Sequence, residues 1–446
     1  MTGIFKAYDI RGIYPSEINE AIAYKIGRAF VRFIKPKKVV VCRDIRLSSG
    51  LLTEALIEGI LHEGADVIDI GEGSIPYFYF ALAHYNYDAG IMVTASHNPP
   101  EYNGFKICGK GTKIIGYEDG INKIEEIFHK DDFDQGKNAN IMEKKDVFND
   151  YKKFILSKAK ELPNYKIIID YSNGAETLIT PRILLDTNLT VININQTPDG
   201  NFPAHGPDPT KKGALKQLSL AVKEEKADFG LVVDGDADRV IFVDEKGKEV
   251  RTDILLAFLA DEILKRKEGN TFVYATNCSR IVKEIIEKHN GTTIKSRIGR
   301  AFIRKKCEEN NADLGGELSG HYFLKEYFFV ENWLLVLFKI ARYISEEKKP
   351  FSVLLKKYQK YKQSGEINFK VLDKEAILEK VKKKYDNGNI DELDGVTIEY
   401  DDWWFNLRPS NTEPLIRLNV EAKNASLLKK QLRKISEIIK NKDSHL

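Results

Sequence analysis

Short apolar runs that stop at polar loops alternate along this chain with stretches whose apolar residues recur at helical spacing, a pattern that predicts layered α/β domains. Lys38-Val39-Val40-Val41 reads as a strand, 51–63 as a helix and Val67-Ile68-Asp69-Ile70 as the next strand. The cycle restarts at 165–170 and again at 270–275, each time with a helical stretch behind it, so three similar blocks are expected. No residue-level repeat joins them, which makes the repetition architectural. Boundaries follow composition. The charged, helical stretch 150–163 separates the first block from the second, and the polar turn Asp244-Glu245-Lys246-Gly247-Lys248 precedes the third. Residues 356–365, rich in Lys, Gln and Tyr and ending near Ser-Gly, read as a helix tail plus linker. Beyond them a strand, a helix over 374–385, two further strand patterns and a basic terminal helix describe a small sheet-and-helix unit. The expected fold class is α/β: three consecutive mixed α/β domains (1–150, 151–250, 251–362) followed by a smaller α+β sheet-and-helix C-terminal domain (363–446).

Composition narrows the function classes. A chain of 446 residues exceeds what one hydrophobic core supports, in line with several domains. The formal charge of +3, from 69 basic and 66 acidic residues, is close to balance and argues against a nucleic-acid partner. Lys382-Lys383-Lys384 reads as a solvated helix face. Cys42, Cys108, Cys278 and Cys307 are scattered without metal or redox spacing and read as free thiols in a reducing cytosol. The N-terminus runs into Tyr8-Asp9-Ile10-Arg11 without a long apolar stretch, and no segment approaches membrane-spanning length, so a cytoplasmic protein with no membrane association is expected.

Two apolar runs end in loops with chemical potential. Ala89-Gly90-Ile91-Met92-Val93 leads into Thr94-Ala95-Ser96-His97-Asn98-Pro99-Pro100. Ser96 is thereby presented at a strand end, where ligands of α/β sheets bind, and looks phosphorylatable; ordinary turn chemistry is the competing reading, and for His97 a backbone-satisfying turn residue. Leu231-Val232-Val233 leads into Asp234-Gly235-Asp236-Ala237-Asp238-Arg239. Three carboxylates at alternate positions repel one another unless a cation joins them, and hard oxygen ligands without nearby Cys or His favour magnesium or calcium. A solvated acidic turn is the plainer alternative. An EF-hand fails in detail, because Arg239 stands where that loop needs glycine and both flanks read as strands.

Two later loops suit a polyhydroxylated, phosphorylated ligand. In Leu314-Gly315-Gly316-Glu317-Leu318-Ser319-Gly320-His321 the glycines allow close approach while Glu317, Ser319 and His321 offer alternating hydrogen-bonding groups; a glycine-rich turn could hold the same residues for backbone reasons. In Leu407-Arg408-Pro409-Ser410-Asn411-Thr412-Glu413-Pro414-Leu415-Ile416-Arg417 two guanidiniums, two hydroxyls and an amide crowd a turn, which fits a phosphate monoester, with a solvent-facing polar turn as the alternative.

These four segments, in this order, resemble the α-D-phosphohexomutase family, specifically its phosphomannomutase/phosphoglucomutase branch, over nearly the whole chain. Ala7-Tyr8-Asp9-Ile10-Arg11-Gly12 and Pro198-Asp199-Gly200-Asn201-Phe202-Pro203 add to the likeness. The resemblance implies four domains with one loop each: phosphoserine, metal, sugar and phosphate. It also implies a fourth domain that swings to close over a phosphosugar.

The function expected from this resemblance is exchange of a phosphoryl group between the 6- and 1-oxygens of a hexose phosphate, mannose and/or glucose, through phosphorylated Ser96 and a 1,6-bisphosphate intermediate. One Mg2+ per active site would be held by Asp234, Asp236, Asp238 and an oxygen of the Ser96 phosphate, with a hexose 1,6-bisphosphate as activator. Following the family pattern, Lys106 transfers the proton and His97 supports the phosphoserine pocket. Arg11 and Arg239 shield phosphoryl oxygens, Tyr8 packs against the sugar, and Glu317 and Ser319 bridge its hydroxyls. Arg408, Ser410, Asn411, Thr412 and Arg417 hold the non-reacting phosphate. A monomer or a homo-oligomer fits equally. Three features depart from the family: Asn277 replaces a lysine seen in some mutases, Arg300 stands where His or Asp is found, and Val330-Glu331-Asn332 replaces an Asp-Asp-Gly-like sequence, a change expected to alter loop packing rather than chemistry. Phosphoglucosamine mutase is the alternative within the family, disfavoured by Leu318 and by Lys325-Glu326. A nonreactive metal-dependent phosphosugar-binding protein is the alternative outside catalysis, and the intact Ser96 argues against it.

Overall fold

The apolar runs read as strands are strands, and among the residues described by the computed structural model (3–130, 141–159, 162–410 and 415–440) they assemble into four sheets. In the first, Lys38–Arg43 lies parallel between Asp66–Glu72 and Ala89–Val93, while Tyr102–Gly109 and Ile10–Ile13 continue the sheet antiparallel. The near-continuous apolar run of Lys38–Arg43 is what a strand covered on both faces requires. Helices Glu20–Ile34 and Ser49–His62 pack on one face and Ile75–His84 on the other. The second sheet runs Glu249–Val250, Val240–Asp244, Phe229–Val233, Lys166–Asp170, Thr190–Ile194, and the third Thr292–Ser296, Thr271–Ala275, Leu314–Gly316, Tyr322–Leu324, Val330–Glu331. The layout is the expected one, three α/β units and a smaller sheet-and-helix unit.

The first three units share one core, although the first and second each keep a further apolar cluster of their own. One apolar cluster runs from Val40 and Phe78 through Tyr151, Leu231 and Phe258 to Leu337 and Tyr358. Buried hydroxyls stitch it: Tyr327 donates to the Pro76 carbonyl at 2.5 Å, and Asn332 donates to the Tyr151 hydroxyl at 3.2 Å. The fourth unit has its own core around Trp403, Phe405, Leu418 and Ile435. It meets the third through polar contacts: Arg280 donates to the carbonyls of Tyr400 (2.9 Å) and Asp401 (2.7 Å), Lys295 to Asp391 and Glu399 (both 3.0 Å), and the Ile298 amide to Asp394 at 2.8 Å. A polar seam of this kind resembles a transient interface and can part without exposing a core.

Two details differ from the sequence reading. The fourth sheet has six described strands where three were expected; of the additional ones, Lys362–Gln363 and Asn389–Asp391 lack an apolar alternation and become strands only by pairing with Leu415–Ala422 and Val396–Glu399. In the stretch read as a helix tail plus linker, the helical turn Lys356–Tyr358 is the tail, and part of the expected linker is the edge strand Lys362–Gln363. All four cysteines are buried free thiols, and no helix among the described residues is long and apolar enough to cross a membrane.

Candidate active site

Strand Ala89–Val93 delivers Ser96 to the boundary between the first and second sheets, in a left-handed backbone conformation (φ +51°) that a non-glycine residue adopts only under local constraint. The constraint is Arg46. Its buried guanidinium donates to the carbonyls of Ser96 (2.8 Å), Asn98 (2.6 Å), Pro99 (2.6 Å) and Tyr102 (2.9 Å) and pairs with Asp44 at 3.2 Å. Asp44 in turn accepts from the hydroxyls of Ser49 (2.5 Å) and Thr94 (2.7 Å), and the Ser96 amide donates to Thr94 Oγ1 at 2.9 Å. The loop from the second unit must come very close. A Cβ on Gly235 would lie 2.6 Å from the Ser96 carbonyl oxygen, so only glycine fits there.

The hydroxyl that this frame aims is met by the acidic loop. Ser96 Oγ donates to Asp234 Oδ2 at 2.9 Å and lies 3.3 Å from His97 Nδ1. Burial, then the charges of Arg239 and Arg11, hold the His97 imidazole well below its ordinary pKa, so the ring beside Ser96 is neutral near pH 7. Asp234, Asp236 and Asp238 are all buried and present ligand atoms within 4.8 Å of one another. The Lys106 ammonium reaches Oδ2 of Asp236 (2.7 Å) and of Asp238 (2.5 Å). Burial opposes its charge, but Asp236, Asp238 and Asp234 outweigh that and raise its pKa above the ordinary lysine value.

One lysine does not neutralise three carboxylates. Burial, then repulsion from Asp238 and Asp236, pushes Asp234 well above the usual carboxylate range. The Oδ1 atoms of Asp236 and Asp238 are buried without a hydrogen-bond partner among the described residues. Unpartnered buried carboxylate oxygens beside a hydroxyl are costly unless a cation takes them. The all-oxygen donor set therefore fits a hard divalent ion such as Mg2+.

Behind the metal loop lies a second charged layer. Arg239 Nε donates to His321 Nε2 at 3.2 Å, which leaves His321 Nδ1 facing Glu331 Oε1 at 3.0 Å and Asp238 Oδ1 at 3.8 Å. Arg300 lies 3.3 Å from Asp238 and 3.6 Å from Glu331, and it contacts the buried Tyr79 hydroxyl. The expectation that 330–332 bears on loop packing alone does not hold. Val330–Glu331 is a sheet strand that places Glu331 against His321, and Asn332 caps helix Trp333–Glu347 by accepting from the Leu335 amide at 3.1 Å. Asn277 is buried, its Oδ1 without a partner among the described residues.

Arg11 joins the Ser96 loop by donating to Asn98 Oδ1 at 2.6 Å while paired with Asp9. Tyr8 stands between the remaining loops. Its hydroxyl donates to the Ile298 carbonyl at 3.3 Å, and its pKa is raised by burial and by Glu317 and Asp394, against a lowering by Arg408. Glu317 accepts from the Gly299 amide at 3.1 Å and from Ser319. Arg408 and Arg417 face each other across strands Trp403–Pro409 and Leu415–Ala422, and both pair with Glu366, at 3.1 and 3.0 Å. The Ser410 amide donates to the Leu415 carbonyl at 2.8 Å; Asn411 and Thr412 lie outside the described residues.

Ser96, Lys106, the three aspartates and His321, all buried, are thus gathered in one cluster with the half-buried His97, Arg11 and Arg239, and Tyr8, Glu317 and Ser319 lead from it to Arg408 and Arg417. Sequence reading missed Asp44, Arg46, Glu331 and Glu366. Asp44 and Arg46 carried a usable signal, two charges at the end of an apolar parallel strand. Glu366, after Ser364-Gly365, carried none.

Comparison with known proteins agrees with this layout. Profiles described as phosphoglucomutase/phosphomannomutase α/β/α domains I, II and III match residues 2–135, 146–247 and 251–361, and the C-terminal domain profile matches 366–438. A phosphomannomutase of Methanocaldococcus jannaschii is 44% identical over 99% of both chains. A phosphoglucomutase/phosphomannomutase of Thermococcus kodakarensis is 35% identical over 95% of both. A crystal structure of a phosphoglucomutase/phosphomannomutase family protein from Burkholderia thailandensis superposes with a TM-score of 0.88 at 28% identity, covering 99% of this chain and 98% of that one. With all four domain profiles matched in order and full-length relatives on both sides, the chain belongs to the phosphoglucomutase/phosphomannomutase family.

Proposed function

We propose that this phosphohexomutase interconverts hexose 6-phosphates and hexose 1-phosphates of mannose and/or glucose by passing a phosphoryl group through Ser96. The observation that carries the reading is the Ser96 hydroxyl, 2.9 Å from Asp234 in a buried three-carboxylate cluster, with a separate pair of guanidiniums reserved on the fourth unit. Two anion sites are what a bisphosphate intermediate demands.

In the first half-cycle a sugar hydroxyl attacks the phosphorus on Ser96. The new sugar O–P bond forms as the Ser96 Oγ–P bond breaks, and the hydroxyl proton leaves to a base. In the reverse transfer, from the other end of the turned bisphosphate, Ser96 Oγ attacks and the sugar oxygen regains a proton. The role assigned to Lys106, an ammonium beside the carboxylates, is to give the sugar oxygen that proton, and neutral His97 can hydrogen-bond Ser96 Oγ. Arg11 and Arg239 supply fixed positive charge against the transferring group, Arg239 being oriented by His321. Mg2+ held by Asp234, Asp236, Asp238 and a Ser96 phosphate oxygen would neutralise charge on that group. Glu317 and Ser319 read sugar hydroxyls, Tyr8 packs beside the ring, and Arg408, Ser410 and Arg417, with Asn411 and Thr412, grip the phosphate that is not reacting. A hexose 1,6-bisphosphate activator recharges enzyme that has lost its phosphate.

The test is a panel of the 6-phosphates and 1-phosphates of mannose, glucose and glucosamine, with Mg2+ and a hexose 1,6-bisphosphate. Conversion of the mannose or glucose pair supports the proposal. Conversion of glucosamine phosphate alone would assign the phosphoglucosamine branch, and binding without conversion of any sugar would make the chain a phosphosugar-binding protein.

A further inference from the structure

Glu366 is not part of any of the four loops singled out in the sequence, yet it pairs with both arginines of the fourth unit. The chain enters the fourth sheet at Lys362–Gln363, is pinned by reciprocal hydrogen bonds of 2.9 Å between Ser364 and the Val420 backbone, and turns at Gly365 with φ +68° before strand Ile367–Lys370 begins. This turn brings Glu366 alongside the facing pair Arg408 and Arg417. Each carboxylate oxygen takes a different arginine: Oε2 accepts from Arg408 Nη2 at 3.1 Å and Oε1 from Arg417 Nη1 at 3.0 Å.

The atoms involved matter. Glu366 takes terminal guanidinium nitrogens, the donors that two oxygens of a phosphate would take in a forked contact. A residue that merely oriented the arginines from behind would leave those nitrogens pointing at the ligand. Glu366 is also partly solvent-exposed (31%), as is Arg417 (27%), while Arg408 is less so (13%), so the carboxylate can leave the arginines for water. Its negative charge offsets one of the two guanidinium charges offered to a phosphate dianion.

Resting on the assignment of Arg408 and Arg417 to the non-reacting phosphate, we propose that Glu366 is an internal competitor for that subsite. It spans the two arginines when no phosphate is bound, and the substrate phosphate gains them only at its expense. A mutase has a use for a moderated grip. The bisphosphate must release one phosphate from this subsite, turn, and offer the other in every cycle, so a subsite with uncompensated arginines would hold the intermediate in one orientation.

Glu366→Gln keeps the shape and removes the charge. Measured by calorimetry with glucose 6-phosphate and with glucose 1,6-bisphosphate, the variant should bind each about fivefold more tightly than the wild type, the scale of a partly exposed ion pair. In steady state it should show a lower KM together with a lower kcat, and less bisphosphate escaping per turnover. Glu366→Ala, which also removes the hydrogen-bonding group, should likewise bind more tightly. Weaker or unchanged binding by both variants would overturn the proposal, since it would make Glu366 a residue that positions the arginines or a bystander. Arg408→Ala separates the two levels. If it leaves phosphosugar binding unchanged, the subsite assignment itself fails; if it weakens binding while Glu366→Gln does not strengthen it, only the role of Glu366 fails.

Discussion

Replacing Arg46 by lysine should damage the Ser96 loop without touching any group proposed to meet the substrate. The Arg46 guanidinium donates five hydrogen bonds, four to carbonyls of the Ser96–Tyr102 loop and one to Asp44. A lysine ammonium has three donors on one atom, so at least two of these acceptors lose their partner in a site where Arg46 and Asp44 are about 1% exposed or less. An unsatisfied buried carbonyl costs roughly 1–3 kcal/mol, which puts the loss of stability for two of them at about 2–6 kcal/mol. The left-handed backbone of Ser96 is itself unfavourable and is held by these same bonds, so the loop should relax away from its aimed position. A displacement of even about 1 Å at a reacting group costs on the order of a hundredfold in rate. Thermal unfolding followed by circular dichroism, together with steady-state turnover of hexose 1-phosphate, reads both effects. Arg46→Lys should melt several degrees lower and turn over about two orders of magnitude more slowly, with KM little changed. Wild-type turnover alongside a wild-type melting temperature would refute the view that Arg46 holds Ser96 in place.

Asn substitution at Asp234, Asp236 or Asp238 should each cut turnover by at least about a hundredfold and raise the Mg2+ concentration needed for half-maximal activity, because each removes a charged oxygen from the cation's shell; activity that survives full chelation would contradict the metal role. Arg408→Ala should weaken substrate binding roughly ten- to hundredfold by loss of a charge-assisted phosphate contact and should increase dependence on added bisphosphate, as steady-state kinetics with and without activator will read. Acid stability should depend on Asp261. Burial pushes its carboxyl up, but hydrogen bonds from Lys357, Tyr358 and Lys265 outweigh that and hold it below the ordinary carboxylate range. A folded pKa below the unfolded one gives stability that is full above about pH 4 and is lost as pH falls through the folded value. Asp261→Asn should therefore cost about 2 kcal/mol at pH 7, discounted for its partly exposed lysine partners, and the gap from wild type should narrow as pH falls below about 4; denaturant midpoints across that range will show it.

What the sequence revealed was whatever local chemistry advertises. Ser96 and the three aspartates stand in loops whose flanking apolar runs mark strand ends, so their placement could be read from pattern alone, whereas Arg408 and Arg417, read as crowding a turn, sit on the two paired strands that flank it. The four-unit layout was legible in the same way. What stayed hidden depends on long-range pairing. Lys362–Gln363 and Asn389–Asp391 have no strand pattern of their own and are ordered by neighbours far along the chain. The apolar cluster shared by the first three units could not be seen either, because a buried face looks alike whether it covers its own sheet or the next domain's. Phe202, in the proline- and glycine-rich loop noted from sequence, lies with its ring 5.0 Å from the Arg46 guanidinium, which ties the second unit to the Ser96 frame. Glu331 was read as packing because nothing in Val330-Glu331-Asn332 signals that Tyr322–Leu324 will bring His321 against it. Glu366 acquires its meaning only when two adjacent strands place Arg408 opposite Arg417.

The central claim, that Ser96 carries the phosphoryl group in transit, is tested most directly by a single-turnover transfer. The purified protein is charged with glucose 1,6-bisphosphate labelled in its phosphates, freed of excess sugar and mapped by peptide mass spectrometry, then mixed with unlabelled glucose 1-phosphate and Mg2+ and quenched over time. The account predicts one phosphate per chain, on Ser96, its loss from the enzyme matched by label appearing in bisphosphate and then in glucose 6-phosphate, and no charging of Ser96→Ala. Label on another residue, or a Ser96→Ala variant that charges and turns over like the wild type, would contradict it.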